Sequence, residues 1–305
     1  MREFDTVIVG AGVAGLTAAI HAARQGLAVA VVDRIGVGGQ IAASERIENF
    51  PGFPQGLSGA ELGPLLHEQA EAAGAEFLLD TVESIAPQGD LHAISCASEP
   101  LQARTVIVAA GSSLRSLGIS GEVALLGRGV SHCASCDGHF FTGQDVCVIG
   151  GGDSAIDEAL VLAEHAARVF VFHRGAELAA QQALIAAARA SGKIEIVPET
   201  EIEAILGDSA VTGVRLRGPA GAPEVRAATG VFIYVGLEPN TAFLRGVVAL
   251  DGAGHIETDI MMRASAPGIF AAGDIRKASV ALVAAAAGDG ATAAIAAYRY
   301  LKERG

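Results

Sequence analysis

The chain has 305 residues and a formal net charge of −13, and 51% of it is hydrophobic. That length allows two ordinary domains with cores that need no disulfide staples. The acidic balance, without any Lys/Arg cluster, argues against nucleic acid or an anionic membrane surface as a partner. The opening "MREFDTVIVG" runs straight into a strand rather than a secretory signal. No run of eighteen uncharged apolar residues occurs, so no membrane span is expected.

In chain order, "TVIVG" (6–10) reads as a strand, "GAGVAG" as a turn, "LTAAIHAARQG" as a helix and "AVAVVDR" as a second strand. Gly10, Gly12 and Gly15 form GxGxxG between strand and helix, the context in which this pattern binds a dinucleotide. The first glycine permits the turn, the second lets backbone approach a pyrophosphate, and the third packs helix on strand. Asp33 ends the second strand, where a carboxylate can accept from a ribose 2′-OH. "TVIVAAG" (105–111) then closes on Gly111. Cys96 and Cys147 stand alone in apolar, strand-like runs. The segment "VSHCASCDGHFF" (130–141) carries Cys133, Cys136 and Asp137, flanked by His132 and His139.

The plan repeats from residue 146: "VCVIGGGDSA" places Gly150, Gly152 and Ala155 at GxGxxA spacing, and "RVFVFHR" follows as the second strand. His173 takes the place that Asp33 holds in the first copy, and "GVFIYVG" closes on Gly236. Two such units imply two dinucleotide sites. Gly/Ser/Pro-bearing stretches at 111–122 and 236–243 bound the second unit. The expected architecture is α/β, with two Rossmann-like three-layer dinucleotide-binding domains and the second inserted into the first. Its parts are 1–112, 113–241 and 242–305. Beyond the insertion, "GIFAAGDI" is a strand stopping at Gly273–Asp274, where an acid faces the ligand crevice of such sheets. A long Ala-rich helix ends the chain.

These motifs, together with "GGQI…ENFPGFP" (38–54), "LGRGVSHCASCDGHFF" (126–141) and "GLEPNT" (236–241), closely resemble the low-molecular-weight thioredoxin reductases over essentially the whole chain. The resemblance implies FAD in the outer domain, NADPH and the CxxC in the inserted one, a homodimer, and domain rotation. Carried over by position, the FAD contacts are Gly10, Gly12, Gly15, Asp33, Gly39, Gln40, Asn49, Val82, Gly111, Gly273, Asp274, Ala281 and Leu282. The nucleotide contacts are Gly150, Gly152, Asp153, Ser154, Ala155, His173, Arg174 and Gly236. Cys136 lies against the flavin, Cys133 attacks the partner disulfide, and Asp137 serves as acid/base.

Physical chemistry supports a redox pair. Disulfide exchange runs through a thiolate and a mixed disulfide, so one cysteine attacks and the other resolves. A neighbouring carboxyl can deliver a proton to the departing thiolate. Zinc is the rival reading, but four ligands within eight residues are too compact for the usual paired geometry, and no metal is expected. A structural staple is disfavoured because so short a loop constrains the unfolded chain little. Four cysteines with one close pair fit a reducing, cytoplasmic setting.

Two departures from the family stand out. Its members read His-Arg-Arg with a further arginine at the 2′-phosphate site; this chain has His173 and Arg174, but Gly175 and Ala179 in place of the other cations, with Glu177 nearby. Ala281–Leu282 replaces Arg-Gln before the last helix. The donor therefore stays open between NADPH or NADH, reduced ferredoxin, flavodoxin or a second flavin, and a reversed flow from a small dithiol to oxygen. The acceptor is expected to be a thioredoxin-like protein or a small disulfide.

Overall fold

The computed structural model describes residues 1–44, 46–219 and 221–304. Two compact units emerge, Met1–Ser113 with Glu238–Gly305, and Leu114–Leu237. The chain passes between them at 113/114 and 237/238. The second junction falls four residues before the 241/242 boundary expected from sequence. The reason is local: Asn240 N–H donates to Gly111 O at 3.0 Å and its Nδ2 to Ala110 O at 2.8 Å, which keeps 238–241 with the first unit.

In the first unit, parallel strands Glu76–Leu79, Val29–Asp33, Arg2–Val9 and Leu101–Val108 lie side by side, and Ile269–Ala271 pairs with the last of them. The antiparallel hairpin Val82–Gln88/Leu91–Cys96 extends the same sheet. Val7, Ile8 and Val9 are all buried, because a parallel sheet covered on both faces hides consecutive residues rather than alternate ones. One face carries the helices Val13–Arg24 and Val283–Arg304. Their crossing is close: a Cβ on Gly290 would stand 2.1 Å from Ala14 O, and Ala293, Ala294, Ala296 and Ala297 are fully buried.

The second unit repeats the design. Its parallel sheet runs Ile194–Val197, Arg168–Phe172, Asp145–Ile149, Gly230–Ile233 and Val130–Ser131. Helices Asp153–His165 and Gln182–Ala190 cover one face, and an antiparallel three-stranded sheet from Glu201–Leu206, Gly213–Arg217 and Pro223–Ala227 covers the other. The two parallel-sheet units agree with the α/β, doubly Rossmann-like expectation. No described helix is long and apolar enough to cross a membrane.

Candidate active site

Cys133 and Cys136 form a disulfide, with Cα atoms 5.3 Å apart, at the start of the one-turn helix Ala134–Asp137. Cys136 is exposed and Cys133 half-buried. The turn is tightly held. Cys136 N–H donates to Cys133 Sγ at 3.2 Å, and Cys133 N–H donates to Ser131 Oγ at 3.1 Å. Ser131 in turn donates to Asp137 Oδ2 at 2.6 Å. Asp137 is thereby fixed beside the bridge by a hydroxyl that itself orients the Cys133 backbone. Cys96 and Cys147 sit apart from this chemistry: burial pushes their thiols up, to about 11 and about 12 respectively. Inert thiols of this kind are packing residues.

His132 directs Nδ1 to Ile233 O at 3.1 Å, and the two sulfurs are bonded to each other. Among the described residues no group of three or more His, Cys, Asp or Glu is arranged to hold a metal.

The second unit opens into a cleft of about 670 Å³ at the carboxyl ends of its parallel strands, lined by the Gly150–Ala155 loop, His173–Gly175, Thr200–Ile202 and Tyr234–Leu237. This is where ligands sit in open α/β sheets. Gly150 has φ +148°, and a Cβ there would lie 2.2 Å from Tyr234 O, so the turn demands glycine. At Gly152 a Cβ would meet nothing within 4 Å, and this residue precedes the helix Asp153–His165 without a side-chain cap. Open space beside uncapped N–H groups is what a pyrophosphate needs. Ala155 fills the third motif position and is buried. Asp153 accepts from Gln181 N–H at 2.7 Å and Nε2 at 2.6 Å, while Ala179 N–H donates to Gly151 O at 2.8 Å, folding the 174–181 loop against the glycine turn. Ser154 is exposed at the cleft's edge. His173 is buried, and desolvation lowers its pKa, so it stands neutral rather than as a cation. Arg174 and Glu177 are exposed, and Glu201 also lines the cleft.

The first unit presents the matching cradle. Gly10 has φ +109°, with a Cβ excluded by Ala109 O at 2.3 Å, and Gly15 approaches Gly10 O so closely that a Cβ would lie 1.8 Å away. At Gly12 the nearest atom to a Cβ would be Gly39 Cα at 3.9 Å. The helix it precedes again lacks a side-chain cap. Asp33 is already engaged: Oδ2 accepts from Ala11 N–H at 2.8 Å, and Oδ1 accepts from Ile35 and Gly36 N–H at 2.8 and 2.9 Å. It braces the glycine turn, and a carboxylate oxygen with two lone pairs keeps capacity for a ribose hydroxyl. Gln40 donates to Ser112 O at 2.6 Å. Asp274 accepts from Ser279 Oγ at 3.0 Å, and burial raises its pKa. Gly273 N–H donates to Asp289 Oδ2 at 3.1 Å. Asn49 and Gly39 are exposed, Val82 is half-buried where its strand begins, and at Gly111 a Cβ would meet nothing within 4 Å.

The pyridine nucleotide-disulphide oxidoreductase family matches residues 4–290. A thioredoxin reductase of Mycolicibacterium smegmatis is 41% identical over 302 residues, covering 98% of this chain and 97% of its own. The crystal structure of Lactococcus lactis thioredoxin reductase aligns with a TM-score of 0.96 at 39% identity, over 98% of this chain and 99% of that one. The chain belongs to the thioredoxin reductase family of pyridine nucleotide-disulphide oxidoreductases. A bifunctional thioredoxin reductase/thioredoxin of Mycobacterium leprae is also 41% identical over 302 residues, which are 98% of this chain and 66% of that protein. As a thioredoxin reductase family member the chain is a flavoprotein disulfide oxidoreductase, and the Cys133–Cys136 bridge fits the family's redox-active pair.

Several side chains around these sites escaped the sequence reading. Ser131 and Glu158 contact the disulfide turn, Tyr234 lines the cleft, and Arg276 pairs with Asp289 through Nε at 2.5 Å. Two of them leave a trace in the sequence. Tyr234 is a polar tip in "GVFIYVG" where the first copy, "TVIVAAG", has alanine, and Asp289 is an acid set among the alanines and glycines of the last helix. Ala281 adopts φ +49° and, like Leu282, is exposed, so no cation is offered at that position.

Proposed function

We propose that the protein is an FAD-dependent thioredoxin-disulfide reductase that passes electrons through Cys133–Cys136 to a thioredoxin-like protein. The observation that carries this reading is the disulfide itself, bridged at the start of a turn in which Asp137 is held by Ser131. FAD, when bound, supplies two-electron transfer between a nicotinamide nucleotide and the disulfide. The cradle at Gly10, Gly12 and Gly15, where a Cβ has room only at the middle position, fits its pyrophosphate. Asp33, Gly39, Gln40, Asn49, Val82, Gly111, Gly273 and Asp274 would complete that site, with Ala281 and Leu282 beside it. Gly150, Gly152, Asp153, Ser154, Ala155, His173, Arg174 and Gly236 would hold the nucleotide.

In the reduced enzyme, Cys133 attacks one sulfur of the partner's disulfide as a thiolate. A mixed disulfide forms and the partner's second sulfur leaves as a thiolate, which takes a proton from Asp137. Cys136, its proton passing to the Asp137 carboxylate, then attacks Cys133 as a thiolate, restoring the Cys133–Cys136 bridge and releasing the partner's other sulfur as a thiolate. The Mycobacterium leprae relative is a bifunctional thioredoxin reductase/thioredoxin, which supports a thioredoxin-like acceptor. The enzyme works as a cytoplasmic homodimer in this reading.

The donor is a nicotinamide nucleotide with weak selection for the 2′-phosphate. His173 is neutral, Gly175 and Ala179 bring no charge, and Glu177 and Glu201 line the same cleft as Arg174. Mixing the oxidised flavoprotein with NADPH or NADH without oxygen should bleach the flavin band. Bleaching by reduced ferredoxin or flavodoxin alone would overturn the donor assignment, and oxygen uptake driven by a small dithiol would reverse the direction of flow. Cys133→Ser should abolish reduction of the partner disulfide while leaving flavin bleaching intact.

A further inference from the structure

Glu158 lies on the helix Asp153–His165, whose first turn borders the nucleotide cleft. Its Oε2 accepts from Ala134 N–H at 2.6 Å and from Tyr234 O–H at 2.9 Å. Ala134 follows Cys133 directly and is 1% exposed, and Tyr234, 7% exposed, lines the cleft. The Cys133 end of the bridge is therefore gripped twice. Asp137 acts through Ser131 on Cys133 N–H, and Glu158 acts directly on the next N–H. Two donors converging on one carboxyl oxygen favour its ionised form. A carboxylate beside a thiol disfavours its ionisation.

We propose that Glu158 is a positioning residue for the redox pair: held by Tyr234, it fixes the backbone after Cys133, and its charge restrains formation of the Cys133 thiolate. Cys136 N–H, which already points at Cys133 Sγ, works in the opposite sense by stabilising that thiolate. The ionisable groups on the elements around this segment are His132, Asp137 and His139 on its own stretch, Asp153, Asp157, Glu158, Glu164 and His165 on the covering helix, and Tyr234 after the strand Gly230–Ile233. Glu158 contacts both the disulfide turn and Tyr234 of the cleft wall.

The inference rests on reading Cys133–Cys136 as the redox pair, but its test does not depend on nucleotide-driven turnover. The holoprotein is reduced with dithiothreitol, freed of reductant, and alkylated with iodoacetamide between pH 5 and pH 10. Cys133 and Cys136 peptides are quantified by mass spectrometry, with the raised thiols of Cys96 and Cys147 as slow internal references. Glu158→Gln keeps an oxygen for Ala134 and Tyr234 while removing the charge. It should move the Cys133 midpoint to lower pH and make Cys133 about three- to tenfold more reactive at neutral pH. Tyr234→Phe removes a donor and leaves the carboxylate's charge less compensated, so it should move the midpoint the other way. Opposite shifts are not the signature of a merely structural role. An unchanged midpoint in Glu158→Gln, or shifts of both variants in one direction, would overturn the proposal. If Glu158→Gln does not fold, the Tyr234→Phe midpoint decides alone: an upward shift supports the proposal and no shift sinks it. Loss of flavin bleaching by nucleotides with these shifts intact would count against the reductase reading and not against Glu158.

Discussion

Replacing Asp289 by alanine removes three interactions at once. Its Oδ2 accepts from Arg276 Nε at 2.5 Å and Gly273 N–H at 3.1 Å, and its Oδ1 accepts from Arg276 Nη2 at 3.1 Å. The side chains of Arg276 and Asp289 are 20% and 11% exposed, so the guanidinium left behind is largely desolvated. Breaking a buried pair from one side costs about 3–5 kcal/mol, and the lower end applies here because Arg276 retains a route to water. We therefore expect Asp289→Ala to lose about 3 kcal/mol, roughly a hundredfold in the folding equilibrium. Asp289→Asn keeps the shape and one acceptor and should lose about half of that. The double variant Asp289→Ala/Arg276→Met removes both charges and should recover most of the loss, since a pair deleted from both sides leaves no orphan. Urea unfolding followed by circular dichroism measures all three. Because Gly273 adjoins Asp274, flavin retained after gel filtration is the second readout, and it should fall with Asp289→Ala. The reasoning fails if Asp289→Ala lies within 1 kcal/mol of the parent, a threshold well under the expected loss, or if the double variant is no more stable than the single.

Further outcomes follow from the two glycine turns and the cleft. Gly12→Ala should fold yet come out colourless, because its Cβ meets no protein atom closer than 3.9 Å but enters the proposed phosphate cradle. Gly15→Ala should fail to fold, since its Cβ would stand 1.8 Å from Gly10 O; a folded Gly12→Ala that keeps the parent's flavin content refutes the cradle. Gly175→Arg with Ala179→Arg should raise kcat/KM for NADPH relative to NADH by about tenfold per added cation, as charge-assisted bonds of ~1.5–3 kcal/mol imply. An unchanged ratio in steady-state kinetics would place the 2′-position elsewhere. Burial raises the pKa of Asp274, so ionising it opposes folding. Its contribution is fully present below the ordinary aspartate value, about 4, and is lost as pH rises through the raised folded value. In the flavin-free protein, Asp274→Asn should therefore be more stable than the parent at pH 7, with the gap closing towards pH 4; urea midpoints across that range would show a constant gap if the idea is wrong.

The parts of this protein legible in its sequence are those written by local spacing. Gly10, Gly12 and Gly15 sit between a strand and a helix, and Gly150, Gly152 and Ala155 repeat the arrangement, because a turn that short leaves no steric choice. Cys133 and Cys136 are three residues apart, close enough that the chain between them dictates the bridge. What surrounds the bridge had no such local mark. Glu158 is 24 residues from Ala134 and 76 from Tyr234, and the three meet because the parallel sheet sets the strand Gly230–Ile233 beside Asp145–Ile149, beneath the helix that carries Glu158. The neutrality of His173 likewise belongs to the tertiary structure, since desolvation depends on what packs over a residue and not on its neighbours in sequence. Backbone geometry is a short-range property that few residues can specify. The charge state and partners of a side chain are set by all the elements that converge on it, and that convergence exists only once the unit that holds them has folded.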